Sequence, residues 1–123
     1  MDDAKSNSTK ILLAEDDNDM RRFLVKALQN AGFNVASFDN GLSAYNRLRE
    51  EPFELLLTDI VMPEMDGISL CRALRETKIG RGIYVLILTS MEDESRLVEA
   101  FEAGVDDYLV KPFSPKVLQA RLR

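Results

Sequence analysis

Short apolar runs and amphipathic stretches alternate five times along this chain of 123 residues. Lys10 to Ala14 is a β-type run, after which apolar positions recur at Met20, Phe23, Leu24, Ala27, Leu28 and Ala31. Their i, i+3, i+4, i+7 spacing predicts a helix, and Gly32 suits its terminating left-handed position. Phe33 to Ser37 alternates apolar and polar, as an edge strand with one wet face does. Asp39 or Asn40 caps a second helix running to about Glu50. Phe53 to Thr58 and Ile83 to Leu88 are nearly all apolar, the pattern of central strands covered on both faces. Between them Asp66 caps a third helix reaching about Thr77, followed by a turn-rich break from Lys78 to Gly82. Ser90-Met91-Glu92-Asp93 resembles a capping box with Asp in the last place. It predicts a helix with Leu97, Val98 and Phe101 inward and Gly104 at its end. Asp106 to Val110 is the fifth strand, and Ser114-Pro115 is a cap-plus-proline start for a fifth helix.

Five such βα units imply an α/β fold with a doubly wound parallel sheet and right-handed crossovers. The two continuous strands and the first would form the sheet centre. A flavodoxin-like strand order, 2-1-3-4-5, puts the more amphipathic second strand at an edge. Residues 1–9 read as a flexible polar tail and residues 10–123 as one domain. The fifth helix has room for only about ten residues before Arg123, which predicts a domain cut from a longer protein.

Composition narrows the chemistry. Hydrophobic residues make up 46% of the chain, as expected of a packed domain. A formal charge of −5 argues against nucleic-acid binding through a broad basic face. There is no histidine, which excludes a Ser-His-Asp triad, a Cys-His pair and histidine-ligated zinc. Cys71, the lone cysteine, reads as a small buried apolar residue of the third helix. No apolar run approaches the roughly 20 residues of a membrane span, and the N-terminus lacks a hydrophobic signal region. The reading is a cytoplasmic domain with no membrane partner.

Candidate chemistry lies where the apolar runs stop. Glu15 and Asp16 follow the first, Asp59 the third, and Lys111 the fifth. In a parallel sheet these positions gather at one edge, which is where open α/β sheets hold their sites. Acids distant in sequence then share one pocket with a lysine facing them, an arrangement suited to a divalent metal and a phosphoryl group. The bland reading of Glu92-Asp93-Glu94, by contrast, is a solvated helix N-terminus favoured by the dipole. Asp17 and Asn18 read as helix caps.

These residues, with Met62-Pro63 and Asp66-Gly67 after strand three, Thr89-Ser90 after strand four and Lys111-Pro112 after strand five, resemble a response-regulator receiver domain of two-component signalling. The resemblance covers about Lys10 to Arg123. It implies Mg2+ bound by Asp16 and Asp59 directly, by Glu15 through a water, and by the backbone carbonyl of Val61. Asp59 would be the nucleophile that accepts a phosphoryl group from a histidine kinase or phosphotransfer protein, giving an acyl phosphate. Lys111 would neutralise charge on the phosphoryl oxygens, aided by the Thr89 hydroxyl and the Ser90 backbone N–H. A cis Lys111-Pro112 bond would aim the ammonium into the pocket. Mutual repulsion among the acids should raise some of their pKa values without metal.

The family's switch implies Thr89 moving toward the phosphoryl group and Tyr108 turning inward behind it. The readout face would be the fourth helix, fifth strand and fifth helix, serving a partner, an effector domain beyond Arg123, or a second copy in a phosphorylation-dependent homodimer. Glu15 departs from the commonest aspartate by one methylene. Val61 and Met91, apolar and two residues beyond Asp59 and Thr89, would hinder an attacking water and lengthen the phosphoryl lifetime. Two alternatives stand beside this switch. One is a magnesium-dependent aspartyl phosphohydrolase, which would want an aspartate where Val61 stands. The other is a phosphorylation-independent interaction module, which would not need Asp16, Asp59, Thr89 and Lys111.

Overall fold

The computed structural model describes residues 9–90 and 95–122. Five strands, β1 (Lys10–Ala14), β2 (Asn34–Phe38), β3 (Leu55–Asp59), β4 (Tyr84–Thr89) and β5 (Asp107–Val110), form one sheet ordered β2-β1-β3-β4-β5. Every neighbouring pair is parallel. The helices between and after them are α1 (Asn18–Asn30), α2 (Gly41–Glu50), α3 (Gly67–Arg75), α4 (Leu97–Glu102) and α5 (Pro115–Arg121). This is the flavodoxin-like (βα)5 architecture the pattern predicts, with β1, β3 and β4 at the centre.

Alternation along the central strands explains their continuous apolar character. Ile11, Leu13, Leu55, Leu57, Leu86 and Leu88 face one layer, where Leu24 and Leu28 of α1 and Leu118 of α5 cover them. Leu12, Ala14, Leu56, Val85 and Ile87 face the other, against Ala44 and Leu48 of α2, Cys71 and Leu74 of α3, and Ala100 of α4. Each strand is therefore buried twice, so its polar groups appear only where it ends.

Local signals set most of the helix starts. Asp17, Asn40, Asp66 and Ser114 each accept a backbone N–H three residues on, and Pro115 follows the last of these. Asn18 is not a cap but the first residue of α1. Gly32 sits at φ +98, past the end of α1, as a left-handed terminator must. Strand β2 starts at Asn34 rather than Phe33. Helix α3 stops at Arg75, and Ile79–Gly82 of the turn-rich break forms a 3-10 turn.

Two faces differ from the predicted ones. In α1, Leu24 and Leu28 are buried while Phe23, and Ala31 at the C-cap, are exposed. In α4, Ala100 packs inward and Val98 is 68% exposed, with Phe101 also largely exposed. Residues 98 and 101 share the i, i+3 spacing of 100 and 103, so apolar periodicity alone did not choose between the stripes. Ala100 of this six-residue helix and Ala103 just past its end join the core layer instead. The expected capping box and the Met91 and Glu92-Asp93-Glu94 readings involve residues 91–94, outside the described residues. Arg96, immediately before α4, makes no side-chain cap.

Candidate functional site

The site is built at the C-terminal edge of β1, β3 and β5. Leaving β1, the Glu15 backbone N–H donates to Phe38 O at 3.0 Å, so the chain stays tied to the sheet one residue beyond the strand. That tie turns the Glu15 side chain under the edge, where it is 1% exposed, while Asp16 faces solvent. Asp59, the last residue of β3, receives the Ile60 N–H on Oδ1 at 2.9 Å. Lys111 follows β5, its own N–H on Thr89 O at 2.7 Å, and the Lys111-Pro112 bond is cis.

From that position the Lys111 ammonium donates to Glu15 Oε1 and to Asp59 Oδ2, both at 3.1 Å. Glu15 Oε2 accepts the Asp17 N–H at 3.1 Å. Carboxylate oxygens of Glu15, Asp16 and Asp59 lie within 4.8 Å of one another. Three carboxylates against one ammonium leave two negative charges, the deficit a single divalent ion supplies. The oxygen-only donor set suits a hard cation that keeps part of its water shell.

Electrostatics describe a pocket short of positive charge. Burial, then the nearby Asp59, raises the Glu15 carboxyl from 4.5 to about 7, against the lowering pull of Asp17 and Lys111. Burial also raises Asp59, although Lys111 and the Ile60 N–H oppose it. Burial would lower Lys111, but Asp59 and Glu15 outweigh it and raise its pKa. The expected rise among the acids is present. Its leading cause is desolvation, however, with repulsion second at Glu15 and absent from the forces raising Asp59.

The neighbouring backbone holds Asp59 closely. The Gly67 N–H donates to Ile60 O at 2.7 Å, and a Cβ at Gly67 would stand 2.1 Å from Asp59 O. The Asp66-Gly67 pair thus combines a helix cap with the only residue type that permits this approach. Thr58, behind Asp59, turns its hydroxyl to Asp59 O at 3.0 Å.

Glu15, Asp16, Asp59 and Lys111 are therefore brought together. Other expected members stand differently. Thr89 is buried, but its hydroxyl donates to Ser90 O at 3.1 Å rather than to a carboxylate of the pocket. Ser90 is half-buried, and the Val61 side chain is 56% exposed. Tyr108 is half-buried, with its ring edge-to-face against Phe101 at 6.1 Å. Arg21 was not anticipated: its guanidinium donates to Glu15 O at 2.8 Å from the first turn of α1. A basic residue six positions after Glu15 was the available signal, but nothing local distinguishes it from the adjacent, solvent-facing Arg22.

The family model of the response regulator receiver domain matches residues 11–123. The chain belongs to that family. Among curated relatives, this receiver domain is 68% identical over 80 residues to the response regulator receiver protein CpdR of Brucella abortus, covering 65% of each chain. It is 38% identical over 119 residues to the transcriptional regulatory protein ResD of Bacillus subtilis, covering 97% of this chain and 48% of that one. The receiver thus spans between about half and two thirds of these relatives' lengths. A solved receiver domain, that of sensor histidine kinase PA1611 from Pseudomonas aeruginosa, superposes with a TM-score of 0.87 at 29% identity. The match covers 94% of both chains, and that structure holds magnesium in its active-site cleft. Family membership makes this domain a signalling switch of two-component systems rather than a turnover enzyme. No helix among the described residues is long and apolar enough to cross a membrane.

Proposed function

We propose that this domain accepts a phosphoryl group on Asp59 and converts it into a changed surface. The observation that carries the reading is the Lys111 ammonium bridging Glu15 and Asp59 beside exposed Asp16. A carboxylate oxygen of Asp59 attacks phosphorus, the P–N bond of a phosphohistidine breaks, and the imidazole leaves with the electron pair. Lys111 stays on the transferred group and offsets its charge, while in-line placement lowers the remaining barrier. Asp16, Asp59 and the Val61 carbonyl would hold Mg2+, with Glu15 reached through a water. When bound, the ion supplies charge neutralisation at the phosphoryl oxygens.

The Thr89 hydroxyl would exchange Ser90 O for a phosphoryl oxygen, aided by the Ser90 N–H. Tyr108 would leave Phe101 and turn inward behind it. The output face is then α4, β5 and α5, where Val98 and Phe101 are already exposed. A histidine kinase or phosphotransfer protein would be the donor, and the output would be an effector segment, a separate partner or a homodimer. Val61, exposed and apolar, stands two residues after Asp59, where a phosphohydrolase would want its acid/base, and would hinder an approaching water. Replacing Val61 with Asn should therefore shorten the phosphoryl lifetime.

The test is incubation with acetyl phosphate and Mg2+ followed by intact mass. One added phosphoryl group is expected, lost in Asp59→Asn. No gain in the wild type would overturn the reading and favour an interaction module. Sedimentation with and without beryllofluoride reads dimerisation directly.

A further inference from the structure

Asp16 is the exposed acid of the pocket, and among the described residues nothing donates a hydrogen bond to its carboxylate. Its aim must therefore come from the backbone on either side, and the Arg21 side chain holds the upstream side. On the upstream side, Arg21 Nη1 donates to Glu15 O at 2.8 Å. On the downstream side, the Arg21 backbone N–H donates to Asp17 O at 2.9 Å, a first-turn helix bond that does not depend on the side chain. Nη2 reaches Asn18 Oδ1 at 2.5 Å, which fixes the plane of the guanidinium. The Asp17 N–H closes the turn on Glu15 Oε2, and Asp17 caps α1 through the Met20 N–H. Asp16 thus projects from a loop whose upstream peptide is tied to the Arg21 guanidinium and whose downstream end is fixed by the start of α1.

We infer that Arg21 is a positioning residue for divalent-cation binding, locking the Glu15–Asp16 peptide so that the Asp16 carboxylate stands beside Asp59. The inference rests on the magnesium reading above, and its physical content is a sign. A guanidinium next to a cation site repels the cation, so electrostatics alone make its removal strengthen binding. Positioning makes its removal weaken binding, because a free Asp16 loop loses entropy on capturing the ion. Groups that orient metal ligands are typically worth 10- to 100-fold in affinity.

Isothermal titration of the unphosphorylated protein with Mg2+ decides between them. Arg21→Met, which removes the charge and keeps the bulk, should bind Mg2+ about ten-fold more weakly than wild type. Arg21→Lys keeps the charge but loses the fork between Glu15 O and Asn18, and should fall between the two. A purely structural role would lower the melting temperature without metal and leave the affinity of the folded protein unchanged. Unchanged or tighter binding in Arg21→Met overturns the inference. Should that variant not fold, wild-type affinity in Arg21→Lys overturns it. Asp16→Asn must lose most of the binding. If wild type binds no Mg2+, the magnesium reading fails and the inference falls with it.

Discussion

Two cations at opposite edges of the same sheet are used in opposite ways. Arg75, at the end of α3, donates to Gly104 O, Gly80 O and Ile83 O at 2.6–3.1 Å and to Asp106 Oδ2 at 2.8 Å. That same Asp106 oxygen accepts the Val85 N–H, so one guanidinium ties α3, the 3-10 turn and the approaches to β4 and β5 together. Its partners are mostly neutral carbonyls, and its donors are consumed by the fold. Lys111, at the other edge, faces two carboxylates whose pKa values are raised even with the lysine present. The Arg75 edge is locked. The Lys111 edge is held short of positive charge and therefore ready for a cation.

The largest break in this comparison should come from Lys111→Met. Phosphoryl gain from acetyl phosphate should slow by about 100- to 1,000-fold, timed by intact mass, since a preorganised charge at the reacting group is lost. Arg75→Met should do the reverse. Chemical denaturation should show a loss of about 3 kcal/mol, because several part-buried carbonyls and Asp106 lose their donor. Phosphoryl gain by the folded protein should stay near wild type. A stable Arg75→Met protein that cannot be phosphorylated would dissolve the distinction between the edges.

A third test uses pH. Glu15 titrates near 7 folded and near 4.5 unfolded, so between those values the folded state binds more protons. Metal-free stability should then fall as pH rises through that window, by roughly 2–3 kcal/mol at most. Mg2+ should flatten the slope, because it binds the deprotonated acids. Denaturation at pH 5 and pH 8, with and without Mg2+, reads both. Lys111→Met should steepen the metal-free slope, and Arg75→Met should leave it alone. The smallest effect concerns the loop after β3 at the Lys111 edge, where Glu64 sits at φ +73. Glu64→Gly relieves that left-handed backbone and should raise stability by up to about 1 kcal/mol, visible as a higher denaturation midpoint.

How much of this was legible in the chain varies by element. The strands, the caps Asp17, Asn40, Asp66 and Ser114, and the terminator Gly32 follow from local rules, because each acts within a few residues of itself. Helix α4 was readable only in part. Its two candidate stripes have equal spacing, and the choice of Ala100 over Val98 was made by tertiary packing, which buries the alanine and leaves the valine in solvent. Arg21 was legible as a helical arginine but not as an anchor, since its acceptor is a carbonyl whose direction is set by the loop after β1.

By itself the sequence determined the doubly wound sheet and the strand ends at which Glu15, Asp16, Asp59 and Lys111 fall, because doubly buried strands admit charge only where they stop. Only the tertiary structure decided what those four residues are to one another. Lys111 meets Glu15 across 96 positions of chain. The desolvation that lifts Glu15 toward neutrality belongs to no residue; it arises when the sheet edge closes over the side chain and water leaves.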